Sequence, residues 1–165
     1  MKKIILLAVG VFTVPFLAVR SQAPVPAGFE HWTAADLRTL DKTLSAKSAS
    51  DPHHSAAQVI SDYPNDLYMA AHREADGVPE LHETQADVFF VESGTATLVV
   101  GGTMVNGETT APHEKRNGKI EGGVRQKLSA GDVVRIPANV PHQVVLDSGK
   151  EFAYFVVKIK GYQAN

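Results

Sequence analysis

The chain has 165 residues, 44% hydrophobic and 21% charged, enough for one packed domain and too short for a multi-domain machine. Those fractions lie near globular averages, which excludes wholesale disorder and a polytopic membrane protein. Sixteen Lys and Arg against 18 Asp and Glu give a net charge of −2, with no basic block able to neutralise a phosphate backbone, so nucleic acid is not an expected partner.

Lys2 and Lys3 precede an uncharged apolar run over residues 4–19, closed by Arg20 and Ser21-Gln22-Ala23. A basic start, a short apolar stretch and small residues at its end read as a secretory signal peptide over residues 1–23. The run is shorter than the roughly 20 apolar residues that span a bilayer as a helix, and Pro15 interrupts it. An uncleaved anchor is the alternative. Cleavage after residue 23 leaves 13 basic and 18 acidic residues, a net charge of −5. The expectation is a periplasmic or secreted protein with no stable membrane insertion. Cysteine is absent, which rules out disulfides, a thiol nucleophile and thiolate metal sites and leaves stability to packing.

Residues 24–56 read as a linker and an N-terminal helix. Residues 24–28 are the linker; the spacing of Leu37, Leu40 and Leu44 predicts a helix over 33–47, with Thr33 and Asp36 as a capping box. Residues 48–56 are polar, contain Pro52 and read as a loop, in which His53 and His54 are expected to be solvated. From residue 57 to 165 the period turns strand-like. Short runs over 57–61, 67–73, 79–83, 87–93, 95–100, 103–105, 124–128, 133–136, 142–146 and 152–159 are separated by Gly- and Asn-containing turns, among them Ser93-Gly94, Asn106-Gly107 and Gly122-Gly123. With no crossover helix among them, the prediction is an all-β antiparallel sandwich or barrel. Residues 109–123 read as a long loop, with His113 solvated inside it.

Two clusters carry candidate chemistry. Glu80 and His82 lie two apart, hence on one face of a strand, and Asp87 follows after a four-residue gap. His142 opens a later strand directly after a turn bounded by Pro137 and Pro141. If these strands are neighbours, two imidazoles and two carboxylates meet inside an apolar shell. Buried carboxylates pair, protonate or bind a cation, and this donor set suits Mn(II), Fe(II), Ni(II) or Zn(II). Tyr68 and His72 share a face of the preceding strand and are acid/base candidates if that face is interior.

The pattern Glu80-x-His82-(x)4-Asp87-(x)6-Gly94 resembles the first cupin motif, and Gly131-(x)5-Pro137-x-Asn139-(x)2-His142 resembles the second. Glu80 stands where the family has its first His, Asp87 where it has Glu, and Asn139 where it has Gly. The resemblance implies a double-stranded β-helix, the small RmlC-like jelly-roll barrel, over about residues 57–160, with Glu80, His82, Asp87 and His142 as ligands of a divalent transition metal. It also implies a homodimer. Cupins include dioxygenases, decarboxylases and isomerases, so a metal-dependent enzyme acting on a small oxygen-bearing molecule is one expectation. A non-catalytic module binding a small molecule or a metal is another, and a structural dimerisation domain a third.

Overall fold

The computed structural model describes residues 23–161. All but the last residue of the expected leader lies outside the described residues. The chain divides into two compact units, Met1–His31 and Trp32–Asn165. In the first, residues 23–31 are exposed, and a turn at Ala27 and Gly28 is closed by the Phe29 N–H on the Pro26 carbonyl at 3.2 Å.

The second unit opens with α1 (Ala34–Ser48). Its predicted capping box forms: Asp36 N–H donates to the Thr33 hydroxyl at 3.2 Å, and Thr33 N–H donates to the Asp36 carboxylate at 2.9 Å. The apolar stripe docks on the outer face of the first two strands, β1 (Ser55–Asp62) and β2 (Asp66–Arg73), where Leu44 is 1% exposed. No helix among the described residues is long and apolar enough to cross a membrane.

Ten further strands follow: β3 (Glu80–His82), β4 (Gln85–Val100), β5 (Thr103–Val105), β6 (Glu108–Ala111), β7 (Glu114–Arg116), β8 (Lys119–Glu121), β9 (Val124–Ser129), β10 (Val133–Ile136), β11 (His142–Val145) and β12 (Phe152–Lys160). Every pairing is antiparallel, as the absence of crossover helices requires. Ten strands form one curled sheet in the order β1-β2-β12-β4-β11-β3-β7-β6, with β9 and β10 also on β4, while β5 and β8 make a separate pair. Phe89, Leu98, Ile136, Val144, Phe152 and Val156 from both halves of this curl fill one apolar cluster.

Two expectations need correction. Ser93-Gly94 is not a hairpin turn; residues 85–100 form one strand of 16 residues. Its first half pairs with β10 and β12 and its second with β9 and β11, so β4 passes from one side of the curl to the other. Gly94 is the pivot: its φ of +78° is left-handed, and a Cβ there would collide with the Glu151 carbonyl. The long loop at 109–123 is likewise strand, contributing to β6, β7 and β8. These strands are short and polar, with β6 exposed throughout, so they carry no apolar alternation by which to be recognised.

Candidate metal centre

The register places each candidate ligand opposite a charged or polar partner. Glu80 on β3 faces His142 on one side and Arg116 on the other; His82 faces Glu114; Asp87 on β4 faces Lys158 on β12. Directly opposed residues have Cβ atoms about 4.5–5.5 Å apart, so the sheet itself delivers these groups to one volume. The turn before β11 then fixes His142. Asn139 takes a left-handed φ of 60°, the conformation expected where the family has glycine, and its N–H donates to the His82 carbonyl at 2.7 Å. One hydrogen bond thus ties the second motif to the first.

The four side chains converge. The imidazole centroids of His82 and His142 are 5.3 Å apart, and the residues are 2% and 3% exposed. His82 Nε2 lies 3.4 Å from Asp87 Oδ2 and 3.6 Å from Glu80 Oε2; His142 Nε2 lies 3.7 Å and 4.0 Å from the same two atoms. Glu80, His82 and His142 each offer a ligand atom within 4.8 Å of the others.

Partners absent from the sequence reading orient this set. The Nδ1 of His82 is hydrogen-bonded to Glu114, which leaves Nε2 facing the centre. His142 Nδ1 donates to the Val140 carbonyl at 3.1 Å, and its Nε2 is buried with no hydrogen-bond partner. Arg116 pairs with Glu80. The Lys158 ammonium donates to both oxygens of Asp87 at 2.8 and 2.9 Å, and its Nζ lies 2.9 Å from His82 Nε2. It is the resident cation of the centre.

The donor set fits a divalent ion. Imidazole and carboxylate are borderline-to-hard donors of the type Mn, Fe, Ni and Zn prefer. The mutual distances of Glu80, His82 and His142 place these three within reach of one ion with bonds of about 2.0–2.2 Å, and Asp87 Oδ2 stands 3.4 and 3.7 Å from the two imidazole nitrogens. The orphaned Nε2 of His142 is a buried polar atom that such an ion would satisfy. Two protein cations compete, Lys158 at Asp87 and Arg116 at Glu80.

Burial opposes every charge here, and the partners decide which survive. Burial pushes the carboxyls of Glu80 and Asp87 up, but hydrogen bonding to His82 and the nearby Arg116 and Lys158 cations outweigh it and hold both below their ordinary range. His82 is pulled down by burial and by Lys158, yet the adjacent carboxylates of Asp87 and Glu80 raise it to about 9. His142 is pushed down by burial. A pH dependence follows by linkage. His82, raised above its unfolded value of 6.5, contributes stability that is full below 6.5 and is lost as pH rises through about 9. Below 6.5 the depressed His142 acts in the opposite sense, because the unfolded chain takes up a proton the folded one resists; the depressed carboxylates lose their contribution only in stronger acid. Thermal unfolding in chelator should therefore show a falling midpoint between pH 7 and 9, and a flat profile there would contradict this account of His82.

Tyr68 and His72 are not at the centre. Strand parity turns Met69, Ala71 and Arg73 inward, and Tyr68 and His72 outward beneath other cover. Tyr68 stacks on Trp32 with ring centroids 5.2 Å apart, and His72 Nδ1 meets Asp41 of α1 at 2.8 Å. His113 is in the β6–β7 turn with its side chain 60% exposed. His53 and His54 border an outer groove near Arg73 and Arg116. Beside the four candidate ligands opens a cavity of about 160 Å³, whose lining includes Glu80, Asp87, Arg73, Tyr154, Phe89 and Lys158.

A curled antiparallel sheet that gathers both motifs at one interior point is the arrangement their resemblance implied. The chain folds as an all-β, curled antiparallel half-barrel with one helix among the described residues. Among solved structures it is similar to a cupin 2 conserved barrel domain protein of Salinispora arenicola, at 22% identity over 66% of this chain and 77% of that one, with a TM-score of 0.45. An uncharacterised Klebsiella pneumoniae protein with a double-stranded β-helix domain matches at 16% identity over 67% and 80% of the two chains, TM-score 0.47. A Thermus thermophilus protein matches at 18% over 67% and 87%, TM-score 0.49. These likenesses concern the backbone alone. No family model and no curated protein matches the sequence.

Proposed function

We propose that this chain is an exported cupin that binds one divalent transition-metal ion through Glu80, His82, Asp87 and His142 and takes a small oxygen-bearing molecule in the adjoining cavity. The observation that carries the reading is the convergence of the buried His82, Asp87 and His142 and the half-buried Glu80, with a His142 Nε2 that has no hydrogen-bond partner. When bound, the ion supplies Lewis acidity for polarising a ligand oxygen or activating a water. The chain's own residues supply the rest. Glu114 holds the His82 ring with Nε2 facing inward, and Arg116 keeps Glu80 ionised.

Two carboxylates neutralise a divalent charge, which damps Lewis acidity and lowers a metal's reduction potential. That favours non-redox chemistry or plain binding over oxygen chemistry. A binding module without turnover is the second reading, and it is supported by the same charge balance. Titration of chelator-stripped protein with Mn(II), Fe(II), Ni(II) and Zn(II), followed by calorimetry, should saturate at about one equivalent for at least one ion. Absence of any stoichiometric site would end the metal reading. Metal-dependent turnover in a substrate screen separates the enzyme from the binding module. Export and a homodimer belong to the same proposal: the leader-like segment and the exposed Phe90 and Val133, paired across β4 and β10, motivate them.

A further inference from the structure

Three arginine or lysine side chains line the cavity, and two of them are neutralised locally: Arg116 by Glu80 and Lys158 by Asp87. Arg73 is not. Among the described residues no carboxylate lies within 4.0 Å of its guanidinium, and its only hydrogen bond is from Nε to the Tyr154 hydroxyl at 2.9 Å. Tyr154 is 5% exposed and packs on Phe89 and Phe152 at centroid distances of 4.9 and 5.1 Å, so it is a rigid post. Gly77 supplies the space on the other side: a Cβ there would stand 3.1 Å from the guanidinium carbon and one of its terminal nitrogens. The guanidinium is thus fixed by one nitrogen, given room by a missing side chain, and left with its remaining donors free.

Its position is at a passage. Arg73, Glu80 and Arg116 border both the inner cavity and the outer groove that runs past His54 and Ser55. The rest of the inner wall includes Met69, Ala71, Phe89 and Val156, which are apolar. A cavity of about 160 Å³ accepts a ligand close to benzene in size, about six to eight non-hydrogen atoms. At Arg73 the wall offers a planar fork of N–H donors matched to a carboxylate, and at Met69, Ala71, Phe89 and Val156 it offers hydrocarbon.

We infer that the cavity is a binding site for a small monocarboxylate with a short apolar tail, its carboxylate held by Arg73. The inference deepens the proposed reading of the cavity as the ligand chamber by naming the ligand class and its anchor. It also supplies the charge partner that Arg73 lacks, since Glu80 is paired with Arg116, Asp87 with Lys158 and Glu114 with His82.

Isovalerate, a branched monocarboxylate of seven non-hydrogen atoms, and its neutral amide isostere are suitable probes. By titration calorimetry at low salt the purified protein should bind isovalerate saturably at one site and the amide at least tenfold more weakly. Arg73→Met should weaken isovalerate at least tenfold, and Arg73→Lys, which keeps charge and loses the fork, by an intermediate factor. Equal binding of acid and amide by the unaltered protein would overturn the inference whether or not the variants fold. So would undiminished isovalerate binding in a folded Arg73→Met protein. The titrations are run on chelator-stripped and on metal-loaded protein. Isovalerate binding by stripped protein that takes up no metal would uphold Arg73 as anchor while removing the metal reading; metal binding without discrimination of acid from amide would do the reverse.

Discussion

Replacing both His82 and His142 with alanine is expected to reduce metal content from about one equivalent to none. Each imidazole presents Nε2 to the same pair of carboxylates at 3.4–4.0 Å, and neither carboxylate is a strong site alone, because each already has a protein cation against it. Removing the nitrogen donors leaves two ion pairs rather than a coordination sphere. The variant should still fold, since the apolar cluster of Phe89, Leu98, Phe152 and Val156 is untouched. A graded companion is Glu114→Gln, which alters only the partner of His82 Nδ1 and should cost about 10–100-fold in affinity, the usual range for outer-sphere partners. Elemental analysis after gel filtration decides the matter. Metal retained by the folded double variant would show that the ion is bound elsewhere.

Lys158→Met is expected to act in the opposite direction, raising metal affinity at least tenfold. Without a bound ion the ammonium is the cation of the centre, donating to Asp87 and standing 2.9 Å from the very nitrogen of His82 that would ligate. An incoming divalent ion has to displace it and then tolerate a like charge a few ångström away, in surroundings where Coulomb energies are poorly screened. Methionine removes both obstacles with a chain of similar length. The metal-free variant should be less stable by about 3–5 kcal/mol, because Asp87 is left buried without its partner, and the added ion should recover that loss. Competition titrations against a metallochromic chelator, with parallel denaturant melts, test both halves. Equal or weaker affinity in the variant would show that Lys158 is not a competitor but a supporting member of the loaded site.

Much of this centre is legible in the sequence, and the part that is not has a physical cause. His82 and His142 stand in motifs whose spacing is set by turns, and turn chemistry is local: the Pro137-to-Pro141 segment with Asn139 in the left-handed region forms as its residues dictate. Glu80 follows from His82 by strand parity. Tyr68 and His72 mislead for a different reason. β2 is at least half-buried on both faces, bordering the cavity inward and covered by α1 and Trp32 outward, so alternation along the strand does not reveal which face is the chamber. The inward set is Met69, Ala71 and Arg73. Glu114 and Arg116 lie in polar strands at the sheet margin that look like loop, and their role depends on a pairing with β3 across some 30 residues of chain. Lys158 was recoverable by parity, since it continues the inward series of Tyr154 and Val156; a lysine near the end of an apolar strand ordinarily reaches out to water.

The outlying position of β7, with only β6 beyond it, has an evolutionary consequence. Asp87 and Lys158 occupy strands at the heart of the sheet, where any substitution is also felt by the packing that keeps the protein folded. Glu114 and Arg116 hang on a peripheral hairpin that contributes little to that packing. Drift in the hairpin could therefore retune the basicity of His82 and the charge on Glu80 while the scaffold stayed intact, so that descendants sharing one barrel diverge in chemistry through its margin.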